Sequence, residues 1–128
     1  MPQSANYLVR NSDGKYLLQM RNGKDGICNP LMWNFFGGGL EHPDEKPIRT
    51  ASREMKEEIG IEAKEQDLVL LGTVEEGEKM VYVFKYTPSL EWSDIQVHEG
   101  AGAGWFTKDE MIRIPITEKT KLIVDKYI

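Results

Sequence analysis

The chain has 128 residues and a formal net charge of −5, long enough for one domain around a single buried core. It carries no run of basic residues, which argues against a nucleic-acid polymer as partner, because a phosphate backbone is met by clustered Lys and Arg. One cysteine (Cys28) excludes a disulfide framework and two histidines leave little for zinc, while the lack of a leader or of an apolar run of about 18 residues predicts a cytoplasmic protein without membrane contact.

In chain order, residues 5–10 alternate enough for a strand, and Ser12, Asp13, Gly14 and Lys15 read as a hairpin turn. Residues 15–21 return as a second strand with Tyr16, Leu17 and Leu18 at its centre. Residues 22–31 hold two glycines and a proline and read as a surface loop, long for a connector. Trp33, Asn34, Phe35 and Phe36 form a short buried strand that feeds a glycine-rich loop. A helix follows, with Pro47 in its first turn and Gly60 just past its end. Its apolar stripe is Ile48, Ala51, Met55 and Ile59, which should face a core.

Beyond it, residues 67–74 and 79–87 are strands joined through 75–78, and Pro88 stops the second. Residues 89–104 look less regular and lead to Trp105 and Phe106. Thr107 and Glu110 have capping-box spacing. Thr117 caps a last amphipathic helix with Leu122, Ile123 and Tyr127 on or near its buried side. The pattern predicts an α/β (α+β) domain spanning 1–128, a mixed β-sheet with the first helix on one face and the C-terminal helix on the other.

The first helix carries a second stripe, Glu54, Glu57 and Glu58. Glu54 and Glu58 repel at i,i+4, and Glu57 and Glu58 sit in the last turn, where the helix dipole favours cations. A solvated acidic face would explain this helix as well as a site would. A hard divalent cation, held by carboxylate oxygens, would remove the conflict.

The spacing distinguishes the two explanations. From Gly39 there are five residues to Glu45 and seven more to Arg53, then Arg-Glu-Met-Lys-Glu-Glu-Ile-Gly-Ile without a gap. This resembles the Nudix box of hydrolases acting on a nucleoside diphosphate linked to another group. Gly39, Glu45, Arg53, Glu54, Glu57, Glu58 and Gly60 meet its fixed positions, with Met55 and Ile61 in the aliphatic ones.

The resemblance implies an α/β/α sandwich and metal-dependent cleavage of a pyrophosphate bond. Nucleoside triphosphates come first as substrates, oxidised ones included as in the MutT branch, with release of a nucleoside monophosphate; nucleotide sugars come next. It implies that Glu57 and Glu58 bind divalent ions, usually magnesium, with manganese as a substitute. Glu54 would bind metal or act as the base for the attacking water. Glu45 would support the metal cluster or its water, Arg53 would orient a neighbouring glutamate, and the Gly38 carbonyl would contact metal. Glu99, six residues before Trp105, stands where MutT-type members add another acid, with Glu91 and Asp94 as competitors. Arg21, Asn34 and Phe35 are the substrate-binding candidates.

Met80, Tyr82, Phe84 and Tyr86 share one strand face and are expected to pack in the core rather than stack a base. Three departures touch the loop. Gly37 replaces a common proline and implies a looser turn, Asp44 replaces a glycine, and Lys46 stands where Ser or Thr would cap the helix, which costs ~1 kcal/mol. Two other classes share the fold. An isopentenyl-diphosphate-type isomerase would place a cysteine where Phe36 and Gly37 stand, and a ligand-sensing module would commonly lose box carboxylates, all of which are present. A small-molecule nucleotide is the expected partner. Homodimers are common in the family, but no feature here selects one.

Overall fold

A computed structural model describes residues 2–21, 31–98 and 102–128. Seven strands and three α-helices are described: β1 (Gln3–Leu8), β2 (Tyr16–Met20), β3 (Trp33–Asn34), β4 (Phe36–Gly39), α1 (Pro47–Ile59), β5 (Leu68–Glu76), β6 (Lys79–Tyr86), β7 (Gly102–Phe106), α2 (Lys108–Met111) and α3 (Glu118–Tyr127). The fold is mixed α+β, as the element pattern predicts.

The strands divide into two sheets, one ordered β4-β1-β6-β5 and the other β3-β2-β7. The larger is mixed, since β1 runs parallel to β6 and antiparallel to β4. The division falls at Phe35. Trp33 and Asn34 pair with Met20 and Gln19 in the small sheet, whereas Phe36 pairs with Tyr7 in the large one. The expected single strand over residues 33–36 is therefore two strands with a change of partner between them. The 12–15 turn is present, with Asn11 Oδ1 accepting from the backbone N–H groups of Asp13 and Lys15 and Gly14 at φ 77°. Its two strands enter different sheets and stay together through the Arg10–Tyr16 bridge and a Leu17 N–H to Val9 carbonyl bond of 3.0 Å. Strand β7 begins at Gly102, earlier than the sequence suggests, because pairing with β2 extends through the glycines.

Two cores result. On the α1 side Ala51, Met55 and Ile59 are fully buried against Ala5, Tyr7, Val9, Phe36, Phe84 and Tyr86. Sealing side chains the size of Met55 and Ile59 contributes about 1.5–3 kcal/mol each. On the α3 side Leu8, Phe35, Val81, Val83, Ile123 and Val124 pack together. Phe84 and Tyr86 are buried core residues, as expected of that stripe, with Tyr82 partly buried against them. In α3 it is Ile123 and Val124 that are sealed, while Leu122 and Tyr127 are only partly buried. Tyr127 has a different use. Its ring fills the space a side chain at Gly72 would need, beside the irregularity between Leu70 and Gly72, and its hydroxyl donates to the Thr73 carbonyl at 3.0 Å. Among the described residues no helix is long and apolar enough to cross a membrane.

Candidate active site

The site begins with how α1 is held. Lys46 gives no side-chain cap, as the sequence predicts, and Pro47 opens the helix. Gly60 ends it in the left-handed region at φ 72°. The carbonyls of the last turn are taken by the segment 96–98. Gln96 N–H donates to Ile59 O at 3.0 Å, His98 N–H to Glu58 O at 2.8 Å, and the His98 ring Nδ1–H to Glu57 O at 3.0 Å. These bonds satisfy groups a helix end leaves open and fix the turn that carries Glu57 and Glu58.

Arg53 is the centre of the charged network. Its Nε donates to Glu45 Oε2 at 3.2 Å and its Nη2 to Glu45 Oε1 at 3.1 Å, a two-pronged pair. Nη2 also meets the Gly39 carbonyl at 3.2 Å, and Nη1 meets Glu54 Oε1 at 2.9 Å and lies 3.6 Å from Glu57 Oε2. These partners hold the guanidinium above its ordinary range, Glu45 contributing most.

Glu45 is more heavily used than its sequence-based role suggests. Besides both Arg53 contacts it accepts from the Thr50 hydroxyl at 2.7 Å and from the Glu41 N–H at 2.9 Å. Arg53 above all, then the Glu41 and Thr50 bonds, holds its carboxyl down to about 2 against the opposing effect of burial. A carboxylate engaged in this way is a poor proton acceptor at neutral pH. Its geometry suits anchoring Arg53 beside Glu54 and Glu57.

The glycine loop fits against the same carboxylates. A Cβ on Gly38 would overlap Glu54 Oε1, so the missing side chain makes room for that acid. The expectation of a looser turn at Gly37 is corrected, because a Cβ there would collide with the Ala5 carbonyl and with Asn6. Buried Asn6 stitches the loop to β1, its Nδ2 donating to Phe36 O at 2.8 Å and Phe35 O at 3.4 Å. Glu58 differs from the other two acids of its stripe. It is 4% exposed and accepts from the buried Tyr7 hydroxyl at 3.0 Å. Neither Asn6 nor Tyr7 is visible in the motif. The available signal is a polar residue inside an otherwise apolar strand, whose side chain must find a partner once buried.

On the substrate side the candidates separate. Asn34 is 3% exposed, and its Oδ1 accepts from the hydroxyls of Thr117 at 2.9 Å and Thr120 at 2.7 Å. That fixes the amide, and no described residue accepts from its Nδ2. The Phe35 assignment is corrected. Its ring is fully buried in the α3-side core, edge-on to Tyr16 at 6.3 Å, and cannot meet a ligand. Arg21 pairs through its backbone with Leu31 and Met32. Burial lowers the Lys119 amine to about 8, with the charges of Glu76, Lys79, Arg21 and Glu58 as smaller influences. Glu99 lies outside the described residues. Its competitors Glu91 and Asp94 are occupied in the reciprocal cap of a 3₁₀ turn, Trp92–Asp94, and Glu91 also accepts from the Ser12 N–H.

Among the described residues no three acidic, His or Cys side chains gather at metal-holding spacing. Glu54 and Glu57 lean on Arg53, and Glu58 on Tyr7. The donor chemistry nevertheless fits a hard divalent ion, since every candidate offers oxygen.

A family profile described as NUDIX domain matches residues 2–127. The CTP pyrophosphohydrolase of Escherichia coli (strain K12) is 29% identical over 104 residues, covering 81% of this chain and 75% of that protein. Human diphosphoinositol polyphosphate phosphohydrolase 2 is 37% identical over 90 residues, covering 66% of this chain and 48% of that protein, so the chain spans about half the length of that relative. A solved structure of a MutT NUDIX hydrolase from Burkholderia pseudomallei superimposes with a TM-score of 0.79 at 22% identity, covering 99% of this chain and 98% of that one, a likeness that bears on the fold.

Proposed function

The chain belongs to the Nudix family of pyrophosphohydrolases, and from that premise we propose that it cleaves a nucleoside triphosphate to a nucleoside monophosphate and pyrophosphate with magnesium, manganese serving as a substitute. The observation that carries this reading is the gathering of Glu45, Glu54 and Glu57 on the Arg53 guanidinium, with Gly38 against Glu54. An acid set this dense, ordered by one cation, suits a polyphosphate brought in with its metal ions.

Glu54, Glu57 and Glu58 would hold the ions, with Glu99 as a further donor. A bound ion supplies a nucleophilic water near neutral pH and shields charge on the phosphoryl oxygens. The chain's own residues do the rest. Arg53, anchored by Glu45, sets the rotamers of Glu54 and Glu57. Glu54, which faces the glycine loop, would bind metal or take the proton of the attacking water. Asn34, through its amide Nδ2, and Arg21, through its positive charge, are the proposed contacts to the nucleotide.

Charge bears on the choice among substrates. A diphosphoinositol polyphosphate carries many phosphates and favours a basic partner, whereas this chain is −5 with no run of basic residues. The CTP pyrophosphohydrolase similarity, over most of both chains, favours a nucleoside triphosphate. Nucleotide sugars are the second class.

The test is product formation from nucleoside triphosphates, nucleotide sugars, dinucleoside polyphosphates and a diphosphoinositol polyphosphate with magnesium, run beside Glu57→Gln. Turnover of a nucleoside triphosphate is expected, abolished by chelation and at least about a hundredfold lower in the variant, the scale of disturbing a ligand or its surroundings. Magnesium-dependent turnover that the variant retains would overturn the ligand assignment. No turnover on the whole panel would favour a sensing module.

A further inference from the structure

Three acids share the stripe on α1, but they are held by different chemistry. Glu54 and Glu57 lie beside the Arg53 cation. Glu58 rises beside the sealed Met55 and Ile59, is 4% exposed, and takes a hydrogen bond from Tyr7, which is 1% exposed. The Tyr7 ring is itself wedged by Phe36, with centroids 6.0 Å apart and planes at 25°. Strand β1 also holds the entry to the glycine loop through Asn6. One strand therefore braces both the loop and the acid.

We propose that Tyr7 is a positioning residue that fixes the Glu58 carboxylate for divalent-cation binding, an inference that rests on reading Glu58 as a metal ligand. A buried carboxylate oxygen needs a hydrogen-bond donor, because leaving it unpaired costs its lost hydration. The Tyr7 phenol, a neutral donor 3.0 Å from Glu58 Oε1, restrains the terminal torsion of that carboxylate. The wedge against Phe36 makes the restraint rigid, because the hydroxyl cannot follow the carboxylate if it turns away.

The experiment measures Mn²⁺ binding to the nucleotide-free protein, by the loss of the free-ion EPR signal, for wild type, Tyr7→Phe and Val9→Ala. Phenylalanine keeps the ring and removes the hydroxyl. Val9 is buried in the same α1-side core, so its truncation loosens packing without touching Glu58. Tyr7→Phe is expected to bind Mn²⁺ about tenfold more weakly, the lower end for a residue behind a ligand. It should also show a smaller Mn²⁺-induced rise in Tm, and its kcat should recover to within about threefold of wild type at saturating metal. Val9→Ala is expected to lower Tm and keep wild-type affinity. Wild-type affinity in Tyr7→Phe, or an equal loss in Val9→Ala, would overturn the positioning role alone. A wild-type protein that binds no Mn²⁺ would overturn the metal reading of the site and this inference with it.

Discussion

Replacing Glu45 with Gln tests the claim that this acid is an anchor. The carboxylate accepts from two Arg53 nitrogens, the Thr50 hydroxyl and the Glu41 N–H. Its fall from 4.5 to about 2 corresponds to a ceiling of about 3 kcal/mol at 1.36 kcal/mol per unit. The side chains of Arg53 and Glu45 retain 22% and 13% exposure, so solvent screening brings the expected cost to about 2 kcal/mol at pH 7. The sign follows from linkage. A carboxyl whose folded value is depressed stabilises fully above its unfolded value of 4.5, and that contribution fades as pH falls towards about 2. Urea unfolding, which leaves charge interactions unscreened, should therefore show Glu45→Gln less stable by about 2 kcal/mol at pH 7 and by about 1 kcal/mol at pH 3. A gap of the same size at both pH values, or no gap at pH 7, would refute the reasoning.

Two further outcomes follow from the geometry. Gly38→Ala should fold with a Tm within a few degrees of wild type, because Gly38 does not occupy the left-handed region, yet its kcat should fall by at least about tenfold as the methyl displaces Glu54; a normal kcat would separate the loop from the acid. Asn34→Asp keeps an acceptor for Thr117 and Thr120 but exchanges the Nδ2 donor for a second carboxyl oxygen, adding an ionisable group at a buried position. Its KM for the preferred nucleotide should rise about tenfold or more, in line with about 1–3 kcal/mol for an unmatched buried polar group, and an unchanged KM would remove Asn34 from recognition.

How far the sequence reached depended on whether a residue's role repeats along the chain. The stripe Ile48, Ala51, Met55 and Ile59 recurs at helical spacing, and so its burial is legible in the sequence. The caps at Thr107 and Thr117 were legible because they are local pairs, three residues from donor to acceptor. The single strand over residues 33–36 was misread because a short apolar run does not reveal a change of partner, and the chain changes sheets at Phe35. Gly37 was misread for a related reason. Its tightness comes from Ala5 and Asn6, some thirty residues earlier. The alternation of Ala5, Tyr7 and Val9 marks the Tyr7 ring for the core, but the partner of its hydroxyl appears only when β1 is laid across α1. The acids themselves were legible as a motif, but the division between those on Arg53 and the one on Tyr7 was not.

The change of sheets at Phe35 also bears on how such a chain can diverge. Residues before it answer to α3, through Thr117 and Thr120, and residues after it answer to β1 and α1, through Asn6, Tyr7 and Glu54. Two inheritances are thus separated by one peptide unit. Under the role proposed for Asn34, substitutions drifting through the α3 side alter which molecule is welcomed while the acid helix passes unchanged to descendants. A lineage built this way can change its diet without reinventing its chemistry.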